Sequence, residues 1–373
     1  MPAASESLAP IFSQLARSAG LLVVGDGVAG GLAGEALLDL VGRFAALAGS
    51  LGLKPGDRVL VQVPKSVPAL ALYLAILRVG AVFTPLGRAA PDALVEGVIG
   101  DALPTLVVAS AGTRAGASRE RRTSRVRVVL TLEADGSGSL MDAAGAQTPS
   151  RTGARVRASE LAMLSYRQDA GTPPLRGAKL SFAALLRQAD MVRQHLALTP
   201  RDVVAHAVDD WSAPASLALA GAALATGARL LWLAEPTLPD PAATLVVADD
   251  GGDGALRGAS PASRLWVPAA WDAAPRHASR FLALPETGVL GVTDGAGGAP
   301  LLAGGAARLR DAAGGLVEGE GTGHLEVEGE HVFMGYWRRP EATRAAFAGD
   351  GFFRTGLRAV RRGDGAIVLP LQP

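Results

Sequence analysis

Apolar side chains recur every three or four residues between Gly34 and Leu51, a spacing that predicts an amphipathic helix. Short apolar runs and further helical patterns then alternate along the chain, and Pro or Gly residues separate them. The predicted strands are 58–63, 81–85 and 105–109, and the intervening helices begin near Ser66 and Pro91. Alternation of this kind favours an α/β fold, with a mainly parallel sheet that helices cover on both faces.

The same alternation resumes between residues 158 and 247, where strands are predicted at 161–166, 203–208 and 230–233 and a helix at 181–196. From about Val289 the pattern changes to short strands with Gly-containing turns, which indicates a smaller β-rich unit. We therefore divide the chain into three predicted subdomains. They are a first α/β subdomain with an Arg- and Gly-rich connection (1–157), a shortened second α/β subdomain (158–288) and a β-rich subdomain (289–373).

Composition narrows the classes of function. The 373 residues carry a net charge of +1, which gives no general attraction to nucleic acids or membranes. The sequence contains no run of the about 18 apolar residues that a membrane-spanning helix needs, and its N-terminus lacks the layout of a signal peptide. Cysteine is absent, which excludes disulfides, thiolate metal sites and a cysteine nucleophile. We expect a cytoplasmic protein that binds neither nucleic acid nor membrane.

Two local patterns have more than one interpretation. Arginines cluster at 119, 121, 122, 125 and 127; they are compatible with a phosphate or nucleic-acid patch, but the lack of interleaved aromatics favours a solvated loop. Residues 25–30 have the outline of a dinucleotide-binding fingerprint, yet no acid occurs at the expected distance, and a hairpin turn explains them better. The five histidines show no metal-ligand spacing.

Three motifs towards the end of the chain carry the most specific information. They are Gly335-Tyr336-Trp337, Pro340-Glu341-Ala342-Thr343 and Asp350-Gly351-Phe352-Phe353-Arg354-Thr355-Gly356. In this order they resemble the adenylate-forming (AMP-binding) acyl-CoA synthetases, nearest to the malonyl-CoA and medium-chain ligases. The resemblance covers roughly residues 20–110, 126–233 and 280–367. It implies the N-terminal core of that family, with two mainly parallel α/β subdomains and a β-rich one.

The resemblance also transfers a set of nucleotide-binding positions. In the family, an Asp after the Thr-Gly pair binds the ATP ribose, whereas Leu357 stands at that place here. The family's phosphate loop corresponds to the stretch from Tyr166 to Ser181, whose two ends match the family pattern. The transferred positions are Tyr166, Gly171, Thr172, Arg176, Gly177, Lys179, Thr287 and Leu357.

The phosphate loop itself departs from the family pattern. A loop that wraps a triphosphate needs glycines, because their N–H groups can turn inward without a Cβ clash. Gly171 and Thr172 remain, but Pro173 and Pro174 remove two N–H donors and Asp169 adds negative charge. Losing two or three charge-assisted hydrogen bonds of about 1.5–3 kcal/mol each would weaken phosphate binding by several orders of magnitude.

The metal position is similarly incomplete. Residues 280–287 resemble the family's Tyr-Gly-Met-Thr-Glu-Thr element, in which Thr contacts the α-phosphate and Glu ligates Mg²⁺. Pro285 replaces that Thr, and Glu286 is the candidate metal ligand, with an ordinary surface acid as the competing interpretation. A single carboxylate does not make a Mg²⁺ site without the phosphates. At residues 209–214 the family commonly carries a histidine, but no histidine aligns there in this sequence. The nearby His206 is interpreted as structural.

These departures favour a pseudoenzyme, a ligase-derived core without the family's mobile C-terminal subdomain and its lysine. It would act by binding a small acyl or nucleotide ligand or a protein partner: a second copy of the chain, a ligase or a carrier-protein enzyme. No catalytic residue and no cofactor is assigned to it. The alternative is an active or split AMP-forming acyl-CoA ligase that uses Arg176, Lys179 and a C-terminal subdomain in trans, with ATP or AMP and Mg²⁺. A decayed relic would have neither ligand nor partner.

Overall fold

The computed structural model describes residues 9–370 except 19, 26, 114, 116–125, 167–174, 209–210, 212, 234–242, 250–258, 261–262, 269–277 and 294–297. Within these residues the helices are α1 (Ala9–Arg17), α2 (Gly34–Ser50), α3 (Val67–Arg78), α4 (Asp92–Ala102), α5 (Ser139–Gly145), α6 (Phe182–His195), α7 (Pro214–Thr226) and α8 (Pro340–Ala346). None of the described helices has the length and apolar character needed to cross a bilayer.

The strands of the described residues form three sheets. In chain order they are β1 (Leu21–Gly25), β2 (Leu32–Ala33), β3 (Arg58–Gln62), β4 (Val82–Pro85), β5 (Leu106–Ala109), β6 (Val128–Thr131), β7 (Leu161–Tyr166), β8 (Gly177–Ser181), β9 (Val203–Ala207), β10 (Arg229–Trp232), β11 (Leu245–Ala248), β12 (Arg264–Pro268), β13 (Ser279–Leu284), β14 (Gly288–Val292), β15 (Ala299–Pro300), β16 (Ala306–Arg310), β17 (Gly321–Glu328), β18 (Phe353–Arg361) and β19 (Ile367–Leu369).

The first and second sheets are mainly parallel. The first sheet has the order β6-β5-β3-β4-β7-β8, and β8 is antiparallel to β7. The second sheet has the order β14-β13-β12-β11-β9-β10-β1-β2, with antiparallel strands at both edges. The third sheet is antiparallel, in the order β15-β19-β18-β17-β16. Two parallel sheets and a smaller β-rich unit confirm the predicted fold class.

The sheets divide the chain differently from the predicted boundaries. The first sheet takes β7 and β8, which lie after the boundary at residue 157, and the second sheet takes β1 and β2 from the start of the chain. β14 also belongs to the second sheet, so the third sheet begins at Ala299 and not at 289. The physical reason is that β1 pairs in parallel with β10, a contact between residues that lie about two hundred positions apart.

Helix α3 joins the first two sheets. Its side chains are buried on all faces, and it contacts β4 of the first sheet and β1 of the second. The Oγ of Ser66 accepts a hydrogen bond from the Ala69 N–H at 3.3 Å, which caps the helix as the sequence predicted. The apolar pattern of α3 therefore reflects burial between two layers.

The turn after β1 is a hairpin connection. β1 and β2 pair in antiparallel fashion, and Gly27 has a φ of +81°, a conformation that favours glycine. This pairing agrees with the hairpin interpretation of residues 25–30, although Asp26 lies outside the described residues. A dinucleotide fingerprint would instead lead from the strand directly into a helix.

Candidate functional site

The site predicted from the sequence is built around the β7–β8 hairpin. Tyr166 ends β7 and pairs with Gly177 at the start of β8. A Cβ on Gly177 would lie 2.7 Å from Cζ of Tyr166, so only glycine leaves room for the ring. The Tyr166 hydroxyl donates a hydrogen bond to Oδ2 of Asp101 at 2.7 Å. Burial, together with this bond, raises the pKa of Tyr166, and the side chain therefore stays a neutral phenol.

Asp101, at the end of α4, links this hairpin to the Gly335–Trp337 motif. Its carboxylate accepts from Arg339 at 3.0 Å, and its backbone carbonyl accepts from Nε1 of Trp337 at 3.1 Å. The Asp101 side chain is largely buried, at 10% exposure, so the ion pair with Arg339 is only partly screened by water. One carboxylate thus connects the first sheet to the segment that leads into α8.

The Gly335–Trp337 motif pairs along the free edge of β8. The Lys179 N–H donates to the Gly335 carbonyl at 3.0 Å, and the Trp337 N–H donates to the Gly177 carbonyl at 2.8 Å. Gly335 has a φ of +104°, and a Cβ there would lie 2.4 Å from Cγ2 of Thr343. The motif therefore needs glycine at this position for backbone and for packing reasons.

Glu286 lies at the centre of this arrangement. It is 7% exposed, in the turn between β13 and β14, and its Oε1 accepts a hydrogen bond from the Tyr336 hydroxyl at 3.0 Å. The Phe333 N–H donates to the Glu286 backbone carbonyl at 2.8 Å. Burial raises the pKa of Tyr336, and the nearby Glu286 charge raises it further. The carboxylate thus ties the second sheet to the Gly335–Trp337 motif.

Arg176 joins the same group through the ring of Tyr336. Its guanidinium carbon lies 5.7 Å from the ring centroid, within cation–π range. Arg176, Gly177, Lys179 and Tyr166 are therefore brought together with Glu286 through Tyr336 and its neighbours. Gly171 and Thr172, with the rest of the predicted phosphate loop, lie outside the described residues.

Thr287 lies in the turn between β13 and β14, and Leu357 lies in the third sheet. Thr287 is fully buried, and its hydroxyl donates to the adjacent Gly288 carbonyl at 3.3 Å. Leu357 lies in β18 of the third sheet and packs its half-buried side chain against the hydrophobic core. Its N–H donates to Oγ1 of Thr355 at 3.1 Å. An apolar side chain offers no acceptor to a ribose hydroxyl.

The described residues do not by themselves form a site for a resident Mg²⁺ ion. No three His, Cys, Asp or Glu side chains come together as a metal site in the part of the chain that the structure describes. Glu286, the predicted ligand, already accepts the hydrogen bond from Tyr336, and a single carboxylate leaves most of the six positions of Mg²⁺ without a protein ligand.

Sequence reasoning missed a buried lysine, Lys65, that contacts His206 and Trp232 between the first two sheets. Lys65 is 5% exposed, and its Nζ donates to the carbonyls of His206 and Val208 at 2.7 and 3.0 Å. The same Nζ lies 2.7 Å from Nδ1 of His206 and 4.5 Å from the ring centroid of Trp232. Burial, and then the Lys65 charge, holds the pKa of His206 well below its ordinary value. The available signal was that Lys65 is one of only three lysines and comes directly after a predicted strand.

A polar cavity of about 580 Å³ lies at the carboxyl ends of the strands of the first sheet. Gln62, Arg88, Asp92, Ser110 and Glu133 are among the residues that line it. The Glu133 carboxylate accepts from Oγ of Ser110 at 2.5 Å and from the Ala111 N–H at 2.8 Å. Ligands of open parallel sheets commonly bind at this edge, and the cavity is large enough for a small molecule.

The fold and the hairpin site together define the class of the N-terminal cores of adenylate-forming enzymes. The chain belongs to the AMP-binding enzyme family, because that family's model matches residues 32–250, more than half of the chain. This match confirms the family predicted from the motifs.

Curated relatives match over short segments. Malonate–CoA ligase of Mus musculus is 54% identical over 41 residues, which are 11% of this chain and 7% of the relative. A CoA ligase of Gibberella moniliformis is 51% identical over 43 residues, 12% of this chain and 7% of the relative. The pyochelin synthase PchD of Pseudomonas aeruginosa is 42% identical over 72 residues, 19% of this chain and 13% of the relative. The matched segments are therefore only a small part of the length of each relative.

Solved structures match over nearly the whole chain. Apo MatB from Rhodopseudomonas palustris superposes with a TM-score of 0.84 at 28% identity, covering 98% of this chain and 78% of that chain. The N-terminal domain of FACL13 from Mycobacterium tuberculosis gives a TM-score of 0.82 at 18% identity, covering 99% of this chain and 100% of that chain. The second likeness shows the fold alone.

Proposed function

We propose that this family member does not carry out complete ATP-dependent acyl adenylation and acts by binding a small ligand or a protein partner. The observation that carries the proposal is the state of Glu286. Its carboxylate is buried, and its Oε1 accepts the Tyr336 hydroxyl, so it links the second sheet to the Gly335–Trp337 motif. Only Oε2 of this carboxylate is then left for a metal ion, and one oxygen does not make a Mg²⁺ site.

The ribose position supports the same proposal. The family's aspartate would accept hydrogen bonds from the sugar hydroxyls, whereas Leu357 packs against the core. Hydrogen bonds to a charged group contribute about 1.5–3 kcal/mol, so the leucine lowers nucleotide affinity by at least about tenfold. Pro285 at the α-phosphate position and Pro173 with Pro174 in the phosphate loop remove further donors.

The polar cavity at the edge of the first sheet is the place we propose for a small ligand. Its lining combines a cation, carboxylates and hydroxyl groups, so it suits a polar molecule of modest size. A protein partner, whether a second copy of the chain, a ligase or a carrier-protein enzyme, is proposed as the other mode of action.

The alternative function is an active AMP-forming acid–thiol ligase. The observation that favours it is the position of Arg176 and Lys179, which place two cations beside the hairpin that corresponds to the family's phosphate loop. The malonate–CoA ligases among the relatives suggest a dicarboxylic acid as the substrate to test. Loss of several electrostatic groups, each worth about 10²–10³ in rate, argues against this alternative.

Malonate-dependent exchange of pyrophosphate into ATP separates the two functions. The purified chain would be assayed with Mg²⁺ and with malonate or a medium-chain acid, with the malonate–CoA ligase of Mus musculus as the positive control. We expect no acid-dependent exchange above a no-protein blank, because adenylation needs the phosphate and ribose contacts that are replaced here. Exchange that depends on both the acid and the chain would establish the ligase instead.

A further inference from the structure

A second cavity, of about 370 Å³, lies between α1, α2, α3 and the segment 151–156. Four apolar side chains form much of its wall: Phe12, Leu38, Leu77 and Val156. Two arginines, Arg78 and Arg151, complete the polar part of the lining. No residue of the β7–β8 hairpin site or of the polar cavity lines it, so a ligand bound here is independent of the proposed function.

Arg78 is a buried cation with no carboxylate partner among the described residues. The residue is 9% exposed, and one terminal nitrogen donates to the Arg151 carbonyl. The other, Nη1, is buried and has no hydrogen-bond partner within the described part of the chain. The guanidinium carbon lies 5.0 Å from the ring centroid of Phe12. Burial, and then the charge of Arg151, lowers the pKa of Arg78, as expected for a cation that lacks a counter-charge.

Arg151 differs from Arg78 in having its charge balanced. Its guanidinium pairs with Glu35 at 3.1 Å and with Asp39 at 2.7 Å, and all three side chains are about half exposed. The charges of Arg78, Arg151, Glu35 and Asp39 sum to zero, but both carboxylates pair with Arg151, and Nη1 of Arg78 keeps no hydrogen-bond partner among the described residues. A buried arginine of this kind gains most from a planar anion, because its donor groups match the two oxygens of a carboxylate.

We propose that this cavity is a binding site for a small monocarboxylate with an apolar body. The carboxylate binds the guanidinium of Arg78 and supplies the hydrogen-bond acceptor that this side chain lacks. The apolar body packs against Phe12, Leu38, Leu77 and Val156. A volume of about 370 Å³ falls in the range of small-molecule sites and accommodates an eight-carbon chain.

Calorimetric titration of the full chain with octanoate tests this site. Octanoate has both the carboxylate and an apolar eight-carbon body, whereas 1-octanol has the same body without the negative charge. We expect saturable one-to-one binding of octanoate and binding of 1-octanol that is weaker by about tenfold or more, since a charge-assisted contact is lost. Absence of saturable octanoate binding, or equal affinity for the alcohol, would overturn the proposal.

Two variants locate the binding on the molecule. Arg78→Gln removes the charge and is expected to weaken octanoate about tenfold or more. Because Arg78 is buried and its replacement can impair folding, Ala16→Trp provides an independent test: Ala16 is exposed at the cavity, and an indole there narrows the entrance. Arg17→Gln, on the same helix but outside the lining, is the matched control and should bind as the native chain does. Native affinity in a folded Ala16→Trp variant would place octanoate elsewhere and refute the site.

Discussion

At the scale of single residues, the Glu286–Tyr336 pair shows that a side-chain contact joins two motifs that are far apart in the sequence. The sequence placed Glu286 in the 280–287 element as a candidate metal ligand, but it could not show what the carboxylate contacts. The partner lies 50 positions away along the chain, and the bond exists only because the Gly335–Trp337 motif pairs with β8. A long-range side-chain bond of this kind has no local signal in the sequence.

Replacing Tyr336 by Phe should expose the cost of that buried carboxylate. The variant leaves the Glu286 carboxylate without its hydroxyl donor, and we expect the free energy of unfolding to fall by about 1–3 kcal/mol in urea denaturation. Tyr73→Phe is the matched control, because Tyr73 is also buried but its hydroxyl has no hydrogen-bond partner among the described residues. Combining Tyr336→Phe with Glu286→Gln should recover part of the lost free energy of unfolding, because the buried charge is then removed. Equal losses for the Tyr336 and Tyr73 variants would rule out a stabilising hydrogen bond to Glu286.

His331 makes the stability of the fold depend on pH. Burial, and then the charge of Arg187, lowers the pKa of His331 from 6.5 to about 4. Between these two values the unfolded chain binds more protons than the folded one, so stability falls as the pH decreases from about 7 to 4. At pH 5 this histidine lowers the free energy of unfolding by on the order of 2 kcal/mol relative to its value well above pH 7.

The His331→Gln variant measures that contribution. We expect the loss of melting temperature between pH 7 and pH 5 to be smaller in the variant than in the native protein. His206, which also has a lowered pKa, remains in both proteins and therefore cancels in the comparison. An unchanged difference between the two pH values would show that His331 does not titrate in this way.

At the scale of secondary structure, elements with a clear apolar pattern were the most predictable. The predicted helix 34–51 is observed at Gly34–Ser50, and the predicted strand 161–166 is observed at Leu161–Tyr166. Helix α7 was not predicted, because its residues are apolar on nearly every face and show no helical periodicity. Strand β8 was also missed, since Gly177–Ser181 has weak strand propensity and is held in place by its pairing with β7 and the motif.

The pairing of the Gly335–Trp337 motif with β8 depends on one glycine. Gly335→Ala would combine a positive φ with a contact of 2.4 Å to Thr343, and we expect a loss of about 2 kcal/mol or more in denaturant unfolding. Gly49→Ala is the matched control, because Gly49 lies in α2 and a Cβ there meets no atom within 4 Å. That control should be neutral or stabilising by up to about 1 kcal/mol. A loss of similar size in both variants would remove the argument for strain at Gly335.

At the scale of the entire chain, the first two sheets are joined by buried contacts that no sequence motif predicted. Lys65 lies just after β3 of the first sheet and donates to carbonyls at the end of β9 in the second. The family resemblance indicated the class of fold, but strand order was beyond sequence reasoning because parallel pairing joins distant segments. For the same reason the predicted boundaries at 157 and 288 did not coincide with the sheets.

If this family core has lost the contacts that bind ATP, nucleotide affinity should be lost with them. The most direct test is a calorimetric titration of the purified chain with ATP and then AMP in the presence of Mg²⁺. We predict no saturable heat at millimolar nucleotide, because Leu357, Pro285 and the phosphate-loop prolines replace donors and acceptors on which the family depends. Saturable binding at micromolar nucleotide would contradict that loss and place the ligase function first.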